Sequence, residues 1–176
     1  MKNLFSEIPY LKGPRLTLKQ ITQEDWQELN DLVQNPAVYR YLPTFLFEKQ
    51  YDDLHVVIDR LYSECFEESI FLGIYMDNAF CGILELYGYR EELHKISVGC
   101  RLRECFWGQG ITSEAIQMMI GYLYNEAGIE IITASTMVEN RASAKTLEKN
   151  DFMLVASAVD EDWGYPEPTV VDKWIR

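Results

Sequence analysis

The sequence predicts an α/β fold, a single mixed and twisted sheet of about seven strands with helices on both faces. Three observations carry this. Residues 15–21 alternate apolar with polar side chains at strand spacing, and stretches such as 111–123 repeat apolar side chains at helical spacing. Residues 99–152 then set a strand, a glycine turn, a helix, a strand and a helix in unbroken order. At 176 residues and 48% hydrophobic, the chain can bury a substantial core, and no Pro, Gly or Ser-rich linker divides it. One domain over residues 1–176 is therefore expected.

The elements follow in order. Residues 15–21 come after the Gly13-Pro14 turn and read as a half-buried first strand. Thr22 caps a helix in which Trp26, Leu29, Leu32 and Val33 recur at helical spacing. Asp25, three residues past the cap, makes a capping-box variant, and Pro36 ends the helix. Beyond Pro43, the spacing of Tyr51, Leu54, Val57, Ile58, Leu61, Tyr62 and Cys65 predicts an amphipathic helix over 48–66, with His55 exposed on it. Residues 70–76 and 80–89 flank Asp77, Asn78 and Ala79 and read as an antiparallel hairpin. Residues 95–103 supply the next strand, in which Gly99 signals a bulge or a close backbone approach. The helix from Ile111 gathers Ile111, Ala115, Met118, Met119, Tyr122 and Leu123 on one face, its methionines as core, and Gly128 stops it. A strand over 129–138, a helix opening at 139–143 and closing at 147–152, and a last hairpin of 152–160 with 169–175 complete the chain.

Chemistry concentrates at the turn Trp107, Gly108, Gln109, Gly110. Two glycines permit positive φ and close approach of a ligand to the main chain. The unpaired amides and dipole of the following helix make a phosphate site there, to which the Thr112 and Ser113 hydroxyls add donors. Glycines before a helix also end strands for structural reasons alone.

The second half narrows the choice. WGQG followed by TSEA, then N-x-x-S at Asn140 to Ser143, then LEK-x-x-F ending at Phe152, resembles the GNAT superfamily of acetyl-CoA-dependent N-acetyltransferases. The WGQGITSEA wording is similar to the branch of the ribosomal-protein N-terminal alanine acetyltransferases RimJ and RimL. These motifs cover about a third of the chain. The resemblance implies the GNAT fold and acetyl-CoA as co-substrate, with Trp107, Gly108, Gln109, Gly110, Ile111, Thr112 and Ser113 at its phosphates. It implies that the strand carrying Cys100 and Leu102 splays from the strand after the glycine-turn helix, leaving backbone groups to bond the pantetheine arm. Asn140 would bond a pantetheine amide, or merely cap its helix.

Acetyl transfer from a thioester to an amine needs a neutral amine, a stabilised tetrahedral oxyanion and protonation of the departing thiolate. Many members of the family carry an acidic tyrosine seven residues after the motif asparagine; here that position is Leu147. In the RimL-like branch the serine of N-x-x-S lies near the thiol, so Ser143 is the candidate to hydrogen-bond the sulfur. Its alternative is an ordinary first-turn serine. Glu85, a carboxylate in an apolar strand, is the candidate base acting through water, or a salt-bridged sheet residue; Asp160, Glu161 and Asp162 compete with it. The pattern departs from the family at Cys105, where Arg or Gln is usual, and at Asn150-Asp151 in place of Leu-Gly. The second departure asks Asn or Asp to take a left-handed conformation.

A net charge of −12 argues against nucleic-acid backbones as partners. In the resembling family two acidic regions, Glu48, Asp52, Asp53, Asp59, Glu64, Glu67 and Glu68, and Asp160, Glu161, Asp162 and Glu167, border the acceptor cleft; they attract a cationic amine or form a plain solvated face. Cys65, Cys81, Cys100 and Cys105 lack CxxC spacing and stand apart from His55 and His94, so neither metal nor disulfide is expected. No signal-like start or membrane-length apolar run is present, so a cytoplasmic protein with no membrane partner is expected. The expected acceptor is a protein or peptide N-terminal α-amine. A small cationic amine, or a module that holds acyl-CoA without turnover, is the alternative. A homodimer is the expected oligomer if the chain associates.

Overall fold

In the computed structural model, which describes residues 4–5, 7–42, 52–64, 66 and 69–176, one eight-stranded sheet runs through the molecule. Its strands are β1 (Leu11–Lys12), β2 (Leu16–Lys19), β3 (Ser69–Met76), β4 (Ala79–Arg90), β5 (Lys95–Leu102), β6 (Ile131–Met137), β7 (Met153–Glu161) and β8 (Thr169–Ile175). Their spatial order is β1-β2-β3-β4-β5-β6-β8-β7, and every neighbouring pair is antiparallel except β5 with β6. The helices are α1 (Trp26–Gln34), α2 (Leu54–Arg60), α3 (Ile111–Asn125) and α4 (Arg141–Lys149). The expected α/β architecture holds, with one strand more than seven because the two-residue β1 adds an edge.

Alternation along the strands sorts the core into two layers. Ile70, Leu72 and Ile74 of β3 and Leu84 and Leu86 of β4 bury against Ile111, Ala115, Met119 and Leu123 of α3, with Leu147 of α4 in the same cluster. Phe71 and Tyr75, with Phe80 and Ile83, bury on the opposite face against Leu29 and Leu32 of α1 and Val57 and Ile58 of α2. Each such side chain contributes roughly 2–3 kcal/mol by leaving water, so both helical layers are fixed by the strand pattern.

Local chemistry sets the boundaries. Asp25 accepts from the Thr22 amide at 2.8 Å, as the capping box requires, but its first turn, Gln23–Asp25, is a 3-10 turn that leads into α1. Asp77 (φ 51°) and Asn78 (φ 67°) form the tight β3–β4 hairpin, since a two-residue turn with both φ positive matches strand twist. The helix expected over 48–66 is shorter where described. Asp53 caps α2 by accepting the His55 amide at 2.9 Å, and Arg60 ends it. Tyr62 lies past that end because its hydroxyl bridges the Ile21 amide (2.7 Å) and the Phe71 carbonyl (2.8 Å). Pro43, Glu48, Tyr51, Cys65, Glu67 and Glu68 lie outside the described residues. His55 is exposed, stacked on Trp26.

Of the bulge or close backbone approach expected at Gly99, the bulge is not there. Pairing of β4 with β5 is regular from Gly82↔Leu102 to Tyr87↔Ser97 and shifts only between Tyr87 and Arg90, where Gly88 takes φ 62°. Register also shifts along β7, the far edge strand, around Ala158 (φ 54°), where the Asp172 carboxylate accepts from the Ser157 hydroxyl at 2.6 Å and the Ala158 amide at 3.3 Å. A bulge of this kind blunts an exposed edge.

Candidate active site

The glycine turn is open on both glycines. Gly108 (φ 74°) and Gly110 (φ 76°) occupy the left-handed region, and a Cβ added at either would meet nothing within 4 Å. Gly110 is the N-cap of α3 and no side chain caps that helix. The amides of Ile111, Thr112 and Ser113 have no intrahelical partner at a helix start and are left for a ligand. Ile111 is buried in the core, which anchors the start of α3. The loop is braced from behind: Trp107 Nε1 donates to the Leu102 carbonyl at 3.0 Å, and Gln109 Nε2 donates to the Cys105 carbonyl at 3.0 Å.

Both expected hydroxyl donors are engaged within the protein. The Thr112 hydroxyl is hydrogen-bonded to Cys100, whose thiol is pushed up to about 12 mainly by burial, with the Thr112 bond pulling the other way. Ser113 Oγ accepts from Asn150 Nδ2 at 3.0 Å and keeps its own proton to donate. An anion at the turn therefore meets its backbone amides and the Ser113 hydroxyl proton.

Beside the turn the sheet opens into a wedge. β5 and β6 pair only at Lys95↔Ile131, Ile96↔Ile132 and Ser97↔Thr133, although β5 runs on to Leu102 and β6 to Met137. A Ser97–Thr133 hydroxyl contact of 2.8 Å pins the apex. Past it, the edge of β5 that carries Gly99, Cys100 and Leu102 has no strand partner among the described residues, while β6 turns its other edge to β8. An extended, amide-bearing ligand fits such an edge as an added strand.

At the mouth of the wedge, Asn140 caps α4: its Oδ1 accepts the Ser143 amide at 3.2 Å. The half-buried Ser143 has its amide satisfied by that cap, and its hydroxyl bonds to no described residue. Leu147 is buried in the core, so its position faces away from any ligand. Asp151 takes the left-handed conformation (φ 60°) that ends α4, in place of the family's glycine.

Glu85 pairs with Phe71 and so lies on the α1/α2 face of the sheet. Glu85, opposite Gly99 in register, accepts from Arg101 Nη1 at 3.2 Å, and Arg101 is buried with its guanidinium over the Phe71 ring. Glu161 Oε1 lies 2.5 Å from Lys173 Nζ, and its Oε2 accepts from Trp163 Nε1 at 2.8 Å. Burial alone would raise the Glu161 carboxyl, but the hydrogen bonds from Lys173 and Trp163 hold it below its ordinary value. Asp160 and Asp162 are exposed, and Asp162 is spent on the Gly164 amide at 2.9 Å.

A family model described as an acetyltransferase (GNAT) domain matches residues 15–153. The chain belongs to the GNAT acetyltransferases. It is an enzyme of the acetyl-CoA-dependent N-acetyltransferase type. It is 25% identical over 149 residues to the uncharacterized N-acetyltransferase YoaA of Bacillus subtilis, covering 82% of this chain and 83% of YoaA. An acetyltransferase of the GNAT family from Bacillus anthracis superposes with TM-score 0.81 at 18% identity, covering 96% of this chain and 98% of that one. RimL, a ribosomal L7/L12 alpha-N-protein acetyltransferase in complex with coenzyme A, superposes with TM-score 0.81 at 17% identity, covering 96% of this chain and 97% of RimL.

Within this GNAT fold, sequence reasoning missed Tyr87. It sits two residues beyond Glu85 on the same face of β4, and its ring lies 3.6 Å from where a Gly99 Cβ would be. Burial, then the Glu85 and Glu161 charges, push its phenol well above the ordinary range, so it stays protonated. Strand register alone signals it: Tyr87, Glu85, Ser97 and Gly99 share one face because paired residues do. Lys173 and Ser135 were missed too, joined at 3.2 Å beside Glu161. Among the described residues no cluster of His, Cys, Asp and Glu is arranged to hold a metal, and Cys81, Cys100 and Cys105 are free thiols. Among the same residues no helix is long and apolar enough to cross a membrane.

Proposed function

We propose that this enzyme holds acetyl-CoA in the wedge between β5 and β6 and transfers its acetyl group directly to a protein or peptide N-terminal α-amine approaching from the α1/α2 face. The observation that carries the acceptor is the pairing of both candidate bases: Glu85 with Arg101, and Glu161 with Lys173 and Trp163. A carboxylate stabilised as the anion is a weak base. It suffices for an α-amine, which titrates near pH 8, and falls short for a lysine side chain near 10.4. RimL's alpha-N-protein activity supports the same acceptor.

In this reading the backbone from Trp107 to Ser113, through Gly108, Gln109, Gly110, Ile111 and Thr112, receives the phosphates. The open edge of β5 at Cys100 and Leu102, with Asn140 Nδ2, holds the pantetheine arm. Acetyl-CoA supplies the thioester. Ser143, whose hydroxyl no described residue claims, donates to the sulfur as the thiolate leaves, and Glu85 takes the amine proton through water. A small cationic amine is the second reading, favoured by the charge of −12 and the exposed Asp160 and Asp162. A cytoplasmic location fits either acceptor.

The test is release of coenzyme A, followed with a thiol reagent, from acetyl-CoA against peptides of varied N-termini, N-terminally blocked lysine peptides, spermidine, aminoglycosides and free amino acids. Release with free N-termini and none with blocked lysine peptides is expected. Release with spermidine or aminoglycosides alone would replace the peptide acceptor by a small amine. Absence of acetyl-CoA binding by calorimetry would remove the wedge assignment.

A further inference from the structure

Arg15, at the turn into β2, reaches across to the glycine turn. Its Nε donates to Glu114 Oε2 at 2.8 Å, and its Nη2 lies 2.6 Å from the same oxygen. That Nη2 also donates to the Gln109 carbonyl at 3.5 Å. Glu114 stands on the first turn of α3, and its second oxygen, Oε1, is buried without a hydrogen-bond partner. The Arg15 side chain is 49% exposed and that of Glu114 21%.

A carboxylate on the first turn of α3 is drawn there by the same positive helix end that would receive a phosphate. Left alone, it satisfies that field and repels a second anion at the same turn. Its buried Oε1 meets no donor among the described residues, so compensation falls on Oε2, where Arg15 supplies two nitrogens. The same guanidinium makes a long contact, 3.5 Å, to the Gln109 carbonyl between Gly108 and Gly110, which draws the negative end of that carbonyl toward Arg15 and away from a ligand. Arginine suits this because its planar fork meets a carboxylate and a carbonyl at once, which a point-like ammonium does less well.

We infer that Arg15 is a positioning residue for the phosphates of acetyl-CoA, neutralising Glu114 and holding the Gln109 carbonyl so that the start of α3 presents a net positive end to the cofactor. This rests on the wedge and glycine turn being the acetyl-CoA site. Arg15 acts through its neighbours and takes no part in the transfer step.

Calorimetric titration of acetyl-CoA at low salt into wild type, Arg15→Gln, Glu114→Gln and the double variant tests this, with thermal melts showing that each is folded. Arg15→Gln weakens binding about tenfold, because an uncompensated carboxylate then faces the phosphates. Glu114→Gln binds as tightly as wild type or more so, and the double variant returns to within about threefold of wild type. With acetyl-CoA saturating, kcat of Arg15→Gln is unchanged while its KM for acetyl-CoA rises. A purely structural salt bridge predicts instead that the double variant stays as weak as Arg15→Gln, and that result overturns the inference. Unchanged binding by Arg15→Gln, or weakened binding by Glu114→Gln, also overturns it. Wild type that binds no acetyl-CoA removes the site assignment and this inference together, whereas normal wild-type binding with a failed cycle removes the inference alone.

Discussion

Asn150 and Ser113 join the two helices of the glycine-turn region: the buried Asn150 amide at the C-cap of α4 donates to Ser113 Oγ at 3.0 Å and to the Thr146 carbonyl at 2.9 Å. Arg176 Nε reaches the Asn150 carbonyl at 2.7 Å, so this residue ties α3, α4 and the chain's last residue together. A position that departs from the family's wording thus gains a buried polar junction. Asn150→Ala removes both donations and leaves the Thr146 carbonyl and Ser113 hydroxyl short of a partner, at a cost of about 1–3 kcal/mol. The midpoint of thermal unfolding should fall by roughly 2–12 °C, and an unchanged midpoint would show that solvent replaces these bonds.

Ser143→Ala separates binding from chemistry. The Ser143 amide, held by Asn140, survives the change, so the α4 cap and acetyl-CoA affinity should persist. Turnover should drop roughly 100-fold or more, the usual weight of a lost general acid. Equal kcat in the two proteins would take Ser143 out of the transfer step.

Glu161 links acidity to stability. Its carboxyl is held below the ordinary value, so the folded state binds a proton less readily than the unfolded chain. The stabilisation is therefore complete above the unfolded carboxyl's range and is lost as pH falls through the lower folded value. Melting midpoints of wild type and Glu161→Gln, compared from pH 7 down to about pH 3, should differ most at neutral pH and converge in acid. A constant difference would mean that the ion pair with Lys173 does not control it.

Thiol reactivity should follow burial and the thiol's acidity. Cys105 is exposed on the glycine turn's approach, Cys81 is fully buried, and burial pushes Cys100 to about 12. In a Cys65→Ser protein at pH 8, one equivalent of a thiol reagent should react quickly, at Cys105, with the other two released only on denaturation. Rapid labelling of Cys100, located by peptide mass, would show that the wedge opens more than this arrangement allows.

Much of the fold was legible because periodicity reports burial directly. Residues 70–76 alternate their two faces between two helical layers, and the spacing of Ile111, Ala115 and Met119 marks one side of α3, so each element announced itself locally. The glycine turn was legible for a like reason, since φ above zero at Gly108 and Gly110 is a property of the residue as much as of its surroundings. The helix expected over 48–66 ended early because the Tyr62 hydroxyl is claimed by Ile21 and Phe71, contacts between segments far apart in the chain. Gly99 lost its expected bulge because register with β4 runs straight past it to Gly88.

The sequence by itself determined the α/β class, the order of elements, the phosphate-turn candidate and the GNAT resemblance, because these rest on neighbouring residues and fixed spacings. The tertiary structure decided what those residues have for company. Parallel pairing of β5 with β6 stops at Ser97↔Thr133, which makes the wedge. Strand register sets Glu85 opposite Gly99 and Tyr87 opposite Ser97, Arg101 and Lys173 tame the two carboxylates, and Arg15 comes to lie against Glu114. Charge and hydrogen bonding act through space over a few ångströms, and only folding fixes which charges stand that close.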